Sequence, residues 1–229
     1  MDFVISALVV FSGYLLGSVS FSVIIARIFA QKDIREYGSG NAGATNVIRT
    51  IGPIPGALTF LLDFLKGMAA IAIARWAFGG SIPPAGQADQ QKYLIYAGLA
   101  AISVMTGHMF PVFFRFKGGK AVSTAGGILF MLFPEAAWIL LVVFIIVLLL
   151  TRTVSIASCS IAILLPFIEP ILNATGVVRT DHLLMRTVIA AVMCGIVVYT
   201  HRANIRRIID GTEPQLFSFD KKEKENAKG

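Results

Sequence analysis

Apolar residues run along this chain in long, nearly uninterrupted stretches rather than in the three-to-four spacing of a surface helix. Seven such stretches stand out, near 3–29, 54–78, 93–110, 121–133, 135–151, 154–172 and 183–200. A helix needs about 20 apolar residues to cross the hydrocarbon core of a bilayer. Most of these stretches meet that length, so the pattern predicts an all-α polytopic membrane protein with about seven transmembrane helices. The fourth stretch is short and Pro134 separates it from the fifth, so these two are expected to be shorter, buried helices. The segments 79–92 and 173–182 are turn-rich and carry no clustered chemistry. A single membrane domain is expected over 1–211, with a charged, frayed tail over 212–229.

Charge adds an orientation. With seven spans the termini fall on opposite sides, and 16 of the 20 Lys and Arg residues then collect on one of them, leaving Arg75, Lys92, Arg179 and Arg186 on the other. The positive-inside rule makes the basic side cytoplasmic, which puts the N-terminus out and the C-terminus in. Only 14% of residues are charged against 56% hydrophobic, and mean hydropathy is +0.76. A soluble domain carries about 25% charged residues. The net charge of +7 therefore reads as membrane topology and affinity for anionic headgroups, not as a nucleic-acid surface. Cys159 and Cys194 lie within apolar segments and read as small buried hydrophobes.

Polar residues gather in a few places, all assigned to the basic side. Gly38 to Arg49 packs Ser39, Gly40, Asn41, Thr45 and Asn46 ahead of an arginine. Glycines let backbone N–H groups approach an anion, and a guanidinium fork suits phosphate. Gly118, Gly119 and Lys120 lead into an apolar helix, whose free N–H groups and dipole favour an anion. The spacing departs from a nucleotide-binding P-loop: Phe114 stands where its first glycine belongs, and Ala121 follows the lysine. At the end of the last span His201 and Asn204 share a helical face, as do Asn204 and Arg207. Ser155 and Ser158 share a face too, and small hydroxyls in spans also simply pack helices. Asp63 and Lys66, three apart inside the second span, form either a structural pair or a source of positive potential.

Several chemistries find no support. No His/Cys spacing or paired carboxylates suit a metal, no Gly-x-Ser-x-Gly elbow is present, and neither His108 nor His182 is followed by Asp five residues on. A chain that offers several phosphate contacts and no strong nucleophile is suited to an already activated substrate. A transporter of a phosphorylated solute is the alternative, but it needs polar groups at mid-span and an exit on the far side.

The motifs running from Gly38 to Arg49, from Gly107 to Lys120 and from His201 to Arg207, together with Asp63 to Gly67 and Gly211 to Glu213, closely resemble the bacterial membrane acyl-phosphate:glycerol-3-phosphate acyltransferases (PlsY). The resemblance covers most of the chain. It implies a seven-helix inner-membrane enzyme with a cytoplasmic-facing active site, acting as a monomer without cofactor or metal. The implied reaction moves an acyl group from acyl phosphate to the 1-hydroxyl of glycerol 3-phosphate, giving lysophosphatidic acid and phosphate for phospholipid synthesis. It implies catalytic roles for Ser39, Arg49, Lys120, His201 and Asn204. Substrate and phosphate contacts fall to Gly40, Asn41, Thr45, Asn46, Gly118, Gly119, Arg207 and one of Ser155 and Ser158. The family glycine that often follows the lysine is Ala121 here.

Overall fold

The computed structural model describes residues 2–77 and 87–216. All regular structure among these residues is helical. Helices α1 (Asp2–Gly17), α2 (Phe21–Ala30), α3 (Ala44–Thr50), α4 (Pro53–Ala77), α5 (Gln87–Met109), α6 (Val122–Leu132), α7 (Pro134–Thr151), α8 (Val154–Ala174), α9 (Leu183–Thr200) and α10 (Arg202–Ile209) follow in chain order. Among the described residues six spans are long and apolar enough to cross a membrane, the first being Phe3–Ala30, with Val122–Leu132 as a shorter apolar helix. Much of segment 79–92 and most of the expected tail lie outside the described residues.

The surface confirms the solvent. Leu149 and Leu150 at the end of α7 are 72% and 80% exposed, and Trp138, Val142 and Ile146 of the same helix are also exposed. A continuous apolar surface of this kind suits lipid, where every backbone polar group is satisfied inside the helix. Pro134 opens α7 at its first turn, where the missing N–H removes no hydrogen bond. This is why the fourth and fifth stretches separate where they do.

Besides the long, outward-facing α7, expected as a shorter buried helix, two features depart from the expected layout. The first span is not one helix, because it breaks at residues 18–20. Ser18 turns its hydroxyl to accept from Val112 N at 3.3 Å, and Lys66 Nζ donates to Gly17 O at 3.1 Å and Val19 O at 2.8 Å. Those contacts satisfy carbonyls that a continuous helix would have used itself. The second departure is at the C-terminal side: residues 212–216 do not fray but fold back, Leu216 N donating to Arg152 O at 2.8 Å.

Glycines allow the backbones to touch. A Cβ on Gly17 would stand 2.2 Å from Val104 O, and one on Gly127 would stand 2.0 Å from Phe64 O. α1 therefore lies directly on α5, and α4 on α6, as small residues permit in membrane bundles. The core between them holds Val104, Met105, Ile128 and Leu140, all buried.

Candidate active site

Three segments meet at one end of the bundle around a cavity of about 530 Å³. The first follows α2, which stops at Gln31 in a left-handed conformation (φ 54°). Asp33 Oδ1 then accepts from Arg35 N at 3.1 Å and Nε at 2.9 Å, and Oδ2 accepts from Nη2 at 2.6 Å. These bonds, the side-chain bond from Arg35 foremost, hold the Asp33 carboxyl down to about 2. Arg35 Nη1 also donates to Phe114 O at 2.7 Å, tying this loop to the second one.

Asn46 is the organiser of the glycine-rich turn. Its Nδ2 lies 3.0, 2.9 and 3.1 Å from the carbonyls of Ile34, Tyr37 and Asn41, and its Oδ1 accepts from Ser39 N at 3.0 Å. Buried and engaged on both sides, it shapes the loop rather than offering free donors to a phosphate. Gly38 (φ 59°) and Gly40 (φ 69°) make the turn possible; a Cβ on Gly38 would lie 2.3 Å from Asn46 Oδ1. Ser39, Asn41 and Thr45 line the cavity in consequence, with Arg49 one helical turn further along α3.

The second segment carries Lys120. Gly118 N donates to Met109 O and Gly119 N to His108 O, both at 3.1 Å. A Cβ on Gly118 would lie 2.0 Å from His108 O, and one on Gly119 2.3 Å from His108 Nε2. The glycine pair therefore sits behind the cavity wall, packed too tightly for any side chain, and Lys120 projects from it into the cavity. Ala121, where the family often has glycine, is left-handed at φ 59° and leads into α6.

The third segment is the break between α9 and α10. His201 Nδ1 lies 2.8 Å from Val197 O. A carbonyl only accepts, so Nδ1 carries the hydrogen. Burial, with Lys120 nearby, pushes the imidazole down to about 4, so at neutral pH Nε2 is a bare acceptor. Lys120 Nζ donates to Asn204 Oδ1 at 2.5 Å. Asn204 Nδ2 donates to Ser155 Oγ at 2.8 Å and Glu213 Oε1 at 2.6 Å, and Arg207 Nε donates to Glu213 Oε2 at 2.8 Å. Ser155 Oγ donates to Glu213 as well, at 2.5 Å. Ser158 instead returns its hydroxyl to Val154 O at 2.8 Å, so of the two serines it is Ser155 that joins the polar wall.

Three cations thus face one carboxylate. Burial pulls Lys120 down to about 8; Glu213 opposes the shift, while Arg207 and Arg49 add to it. Arg49 is likewise lowered, first by burial. Its Nη2 donates to Pro214 O at 2.8 Å, while its buried Nε has no partner within the protein. Burial raises the Glu213 carboxyl, but the hydrogen bonds from Ser155, Asn204 and Arg207 outweigh it and hold the group below its ordinary value.

Of the residues expected at the site, Ser39, Asn41, Thr45, Asn46, Arg49, Lys120, Ser155, Ser158, His201, Asn204 and Arg207 line the cavity; Gly118 and Gly119 stand behind it, and Gly40 lies in the exposed turn outside the lining. Glu213 was not among the expected site residues, although it anchors the polar wall. Its sequence signal is its place in the Gly211-to-Glu213 stretch that carries part of the family resemblance, apart from the charged run 220–225. Apolar Ala57, Phe60, Phe144 and Leu148 line the remaining side of the cavity, between α4 and α7.

Residues 7–211 match the family model described as glycerol-3-phosphate acyltransferase. A glycerol-3-phosphate acyltransferase of Syntrophomonas wolfei is 39% identical over 203 residues, which cover 89% of this chain and 93% of that protein. One from Bacillus cytotoxicus is 39% identical over 220 residues, covering 96% of this chain and 99% of that protein. The crystal structure of PlsY (YgiH), an integral membrane glycerol 3-phosphate acyltransferase, in its glycerol 3-phosphate form superposes with a TM-score of 0.75 at 36% identity, covering 93% of this chain and 96% of that one. The lysophosphatidic acid form gives a TM-score of 0.73.

Proposed function

This chain belongs to the glycerol-3-phosphate acyltransferase family, and from that premise we propose that it joins an acyl phosphate to glycerol 3-phosphate within the cavity described above. The observation that carries this reading is the charge count: Arg49, Lys120 and Arg207 converge on one cavity that holds the Glu213 carboxylate, beside an apolar side lined by Phe60 and Phe144. Two phosphates repel each other in water, and a partly buried, positively charged site brings them together. The apolar side suits an acyl chain.

In this scheme Arg49 and Lys120 hold the phosphates, with Ser39, Asn41 and Thr45 supplying neutral contacts. Neutral His201 accepts at Nε2 the hydrogen bond of the neighbouring 2-hydroxyl, which holds the 1-hydroxyl oxygen toward the acyl carbonyl with its own proton free. The hydroxyl oxygen attacks the carbonyl carbon and the carbon–oxygen bond to phosphate breaks. The departing phosphate takes the hydroxyl proton, so no strong side-chain base is required. A mixed anhydride is already activated, and proximity carries much of the rate.

The basic end of the bundle is assigned to the cytoplasmic side by the positive-inside rule. In this proposal the protein is a multi-pass enzyme of the cell inner membrane, N-terminus out, with its site open to cytoplasmic glycerol 3-phosphate. The test is phosphate release by purified enzyme given palmitoyl phosphate and glycerol 3-phosphate, repeated with acyl-CoA and acyl carrier protein as donors. Turnover with palmitoyl phosphate alone is expected; turnover only with a thioester donor would overturn the donor assignment.

A further inference from the structure

Next to the cavity lie three ionisable side chains that the scheme above leaves without a task. Asp63 and Lys66 of α4 are 1% and 3% exposed, and His108 of α5 is 6% exposed. Lys66 Nζ stands 2.8 Å from Asp63 Oδ1. With Gly17 O and Val19 O as its hydrogen-bond acceptors, the ammonium is held by two carbonyls and one ion pair. Lys66 is thereby explained by the broken first span. Asp63 and His108 are not, and both border the substrate cavity.

His108 is held on one edge and presses with the other. Its Nδ1 lies 3.5 Å from Asp63 Oδ1 and 3.4 Å from Thr124 Oγ1. Its opposite edge is against Gly119, where a Cβ would come 2.3 Å from Nε2, and Ala42 O closes the other side at 2.4 Å from the same point. The carbonyl of His108 also accepts the Gly119 N–H at 3.1 Å. Gly119 is thus clamped between the imidazole and the first motif, and the next residue is Lys120. A buried Asp63–Lys66 pair serving architecture alone has no need of a titratable ring at this point.

We propose that His108 is a positioning residue for the acyl transfer, held edge-on by Asp63 so that its ring fixes Gly119 and thereby the placement of Lys120 Nζ in the cavity. The inference rests on the reading that Lys120 contacts a substrate phosphate. In the assembled site Lys120 faces Asn204, His201, Glu213, Arg207, Arg49 and Cys159. A lysine displaced from that setting binds phosphate less well and also titrates differently.

The experiment compares His108→Phe, His108→Asn and Lys120→Ala in full-length enzyme purified in detergent, assayed with palmitoyl phosphate and glycerol 3-phosphate. His108→Phe keeps a ring and loses the Asp63 contact; His108→Asn keeps an N–H near the Nδ1 position. A misplacement of about 1 Å costs on the order of 100-fold, so kcat/KM for His108→Phe is expected to fall by about that factor, mostly through KM. The alkaline limb of its pH profile is expected to leave the vicinity of 8. His108→Asn is expected to recover about tenfold of the loss, as restoring an oriented contact should. Should His108→Phe fail to fold, Thr124→Val, which removes only the hydroxyl beside Nδ1, is expected to raise KM and move the limb in the same sense. Unchanged KM and an unmoved limb in the folded variant overturn the inference, because a merely structural role alters only the fraction of active enzyme. Wild-type turnover in Lys120→Ala takes down the phosphate reading and the inference together. An inactive Lys120→Ala beside a normal His108→Phe removes the inference alone.

Discussion

Helices α8 and α9 bear on two buried ionic clusters, one toward each end. Toward one end Glu169, fully buried in α8, meets Arg186 of α9, whose Nε lies 2.7 Å from its Oε2. The Arg186 guanidinium lies over the Phe133 ring at 5.0 Å. Toward the other end Ser155 of α8 joins Asn204, Glu213, Arg207 and Lys120. The 14 positions from Ser155 to Glu169 amount to about 21 Å of helix at about 1.5 Å per residue. The first cluster balances one acid against one base. The second sets three cations around one carboxylate, beside a cavity. Burial of charge is common to both, so burial alone does not mark a functional site. What separates them is uncompensated charge facing open space, since positive potential left over in a partly buried site is stabilised only when an anion arrives.

The contrast breaks most sharply at Lys120. Replacement by alanine is expected to lower kcat/KM by about 10²–10³-fold, the range for losing one electrostatic contact in a reacting centre. Circular dichroism and gel filtration should show the fold intact. Activity within tenfold of wild type would put the two clusters in one class. Glu169→Gln should do the opposite. It leaves Arg186 buried without its charge partner, at a cost of about 3–5 kcal/mol. Thermal unfolding in detergent should fall markedly while turnover per folded molecule stays constant; a loss of turnover at unchanged melting temperature would show that the far cluster reaches the chemistry.

Titration sharpens the comparison further. Lys120 sits at about 8, below the ordinary lysine value of 10.5, chiefly because it is buried. Its charge is present below pH 8 and lost as pH rises through 8, so kcat/KM for anionic substrates should decline there. A bound phosphate favours the charged form, and the limb in kcat should therefore lie at higher pH. Lys120→Arg should abolish the limb up to about pH 10, whatever its effect on rate, since a guanidinium stays protonated there. Stability moves the other way. Between about 8 and 10.5 the unfolded chain binds a proton at Lys120 that the folded protein does not, so this residue makes the fold more stable as pH rises. Activity falling while thermal stability rises across one pH window is the signature; parallel falls would mean that Lys120 is not the titrating group.

The smallest expected effect is at Ala121. Left-handed backbone costs a non-glycine residue about 1–2 kcal/mol. Ala121→Gly relieves that cost but gives up a buried methyl worth about 0.8 kcal/mol and adds chain entropy to the unfolded state. Stability should change by less than about 1 kcal/mol and KM should hold. A large gain in KM would show that the turn, not its lysine, limits binding.

The spans were legible because lipid imposes a long, one-dimensional requirement: the expected stretch 135–151 and the observed Pro134–Thr151 differ by a single residue. The motifs were legible because glycine beside cations has few other uses at a membrane surface. The break at residues 18–20 was not, since Ser18 and Ser20 fit inside a continuous helix and only a lysine 46 positions beyond Ser20 makes the interruption affordable. Asn46 lines the cavity, yet its amide is engaged in building the loop, and an amide that builds a loop and one that binds a phosphate read alike in sequence. Glu213 was read as part of the resemblance but given no role for a related reason: an acid after the last helix acquires meaning only once Ser155, Asn204 and Arg207 are seen to point at it.

The fold-back of residues 212–216 also bears on timing. Ser39 and Glu213 line one cavity, yet 174 residues of synthesis separate them. At about 5–20 residues per second, the first waits roughly 9–35 s for the second. During that interval the nascent protein can sit in the bilayer, helices inserted, with Arg207 and Asn204 still to come and no completed phosphate site. A growing chain therefore cannot begin acylating glycerol 3-phosphate while the insertion machinery still holds it.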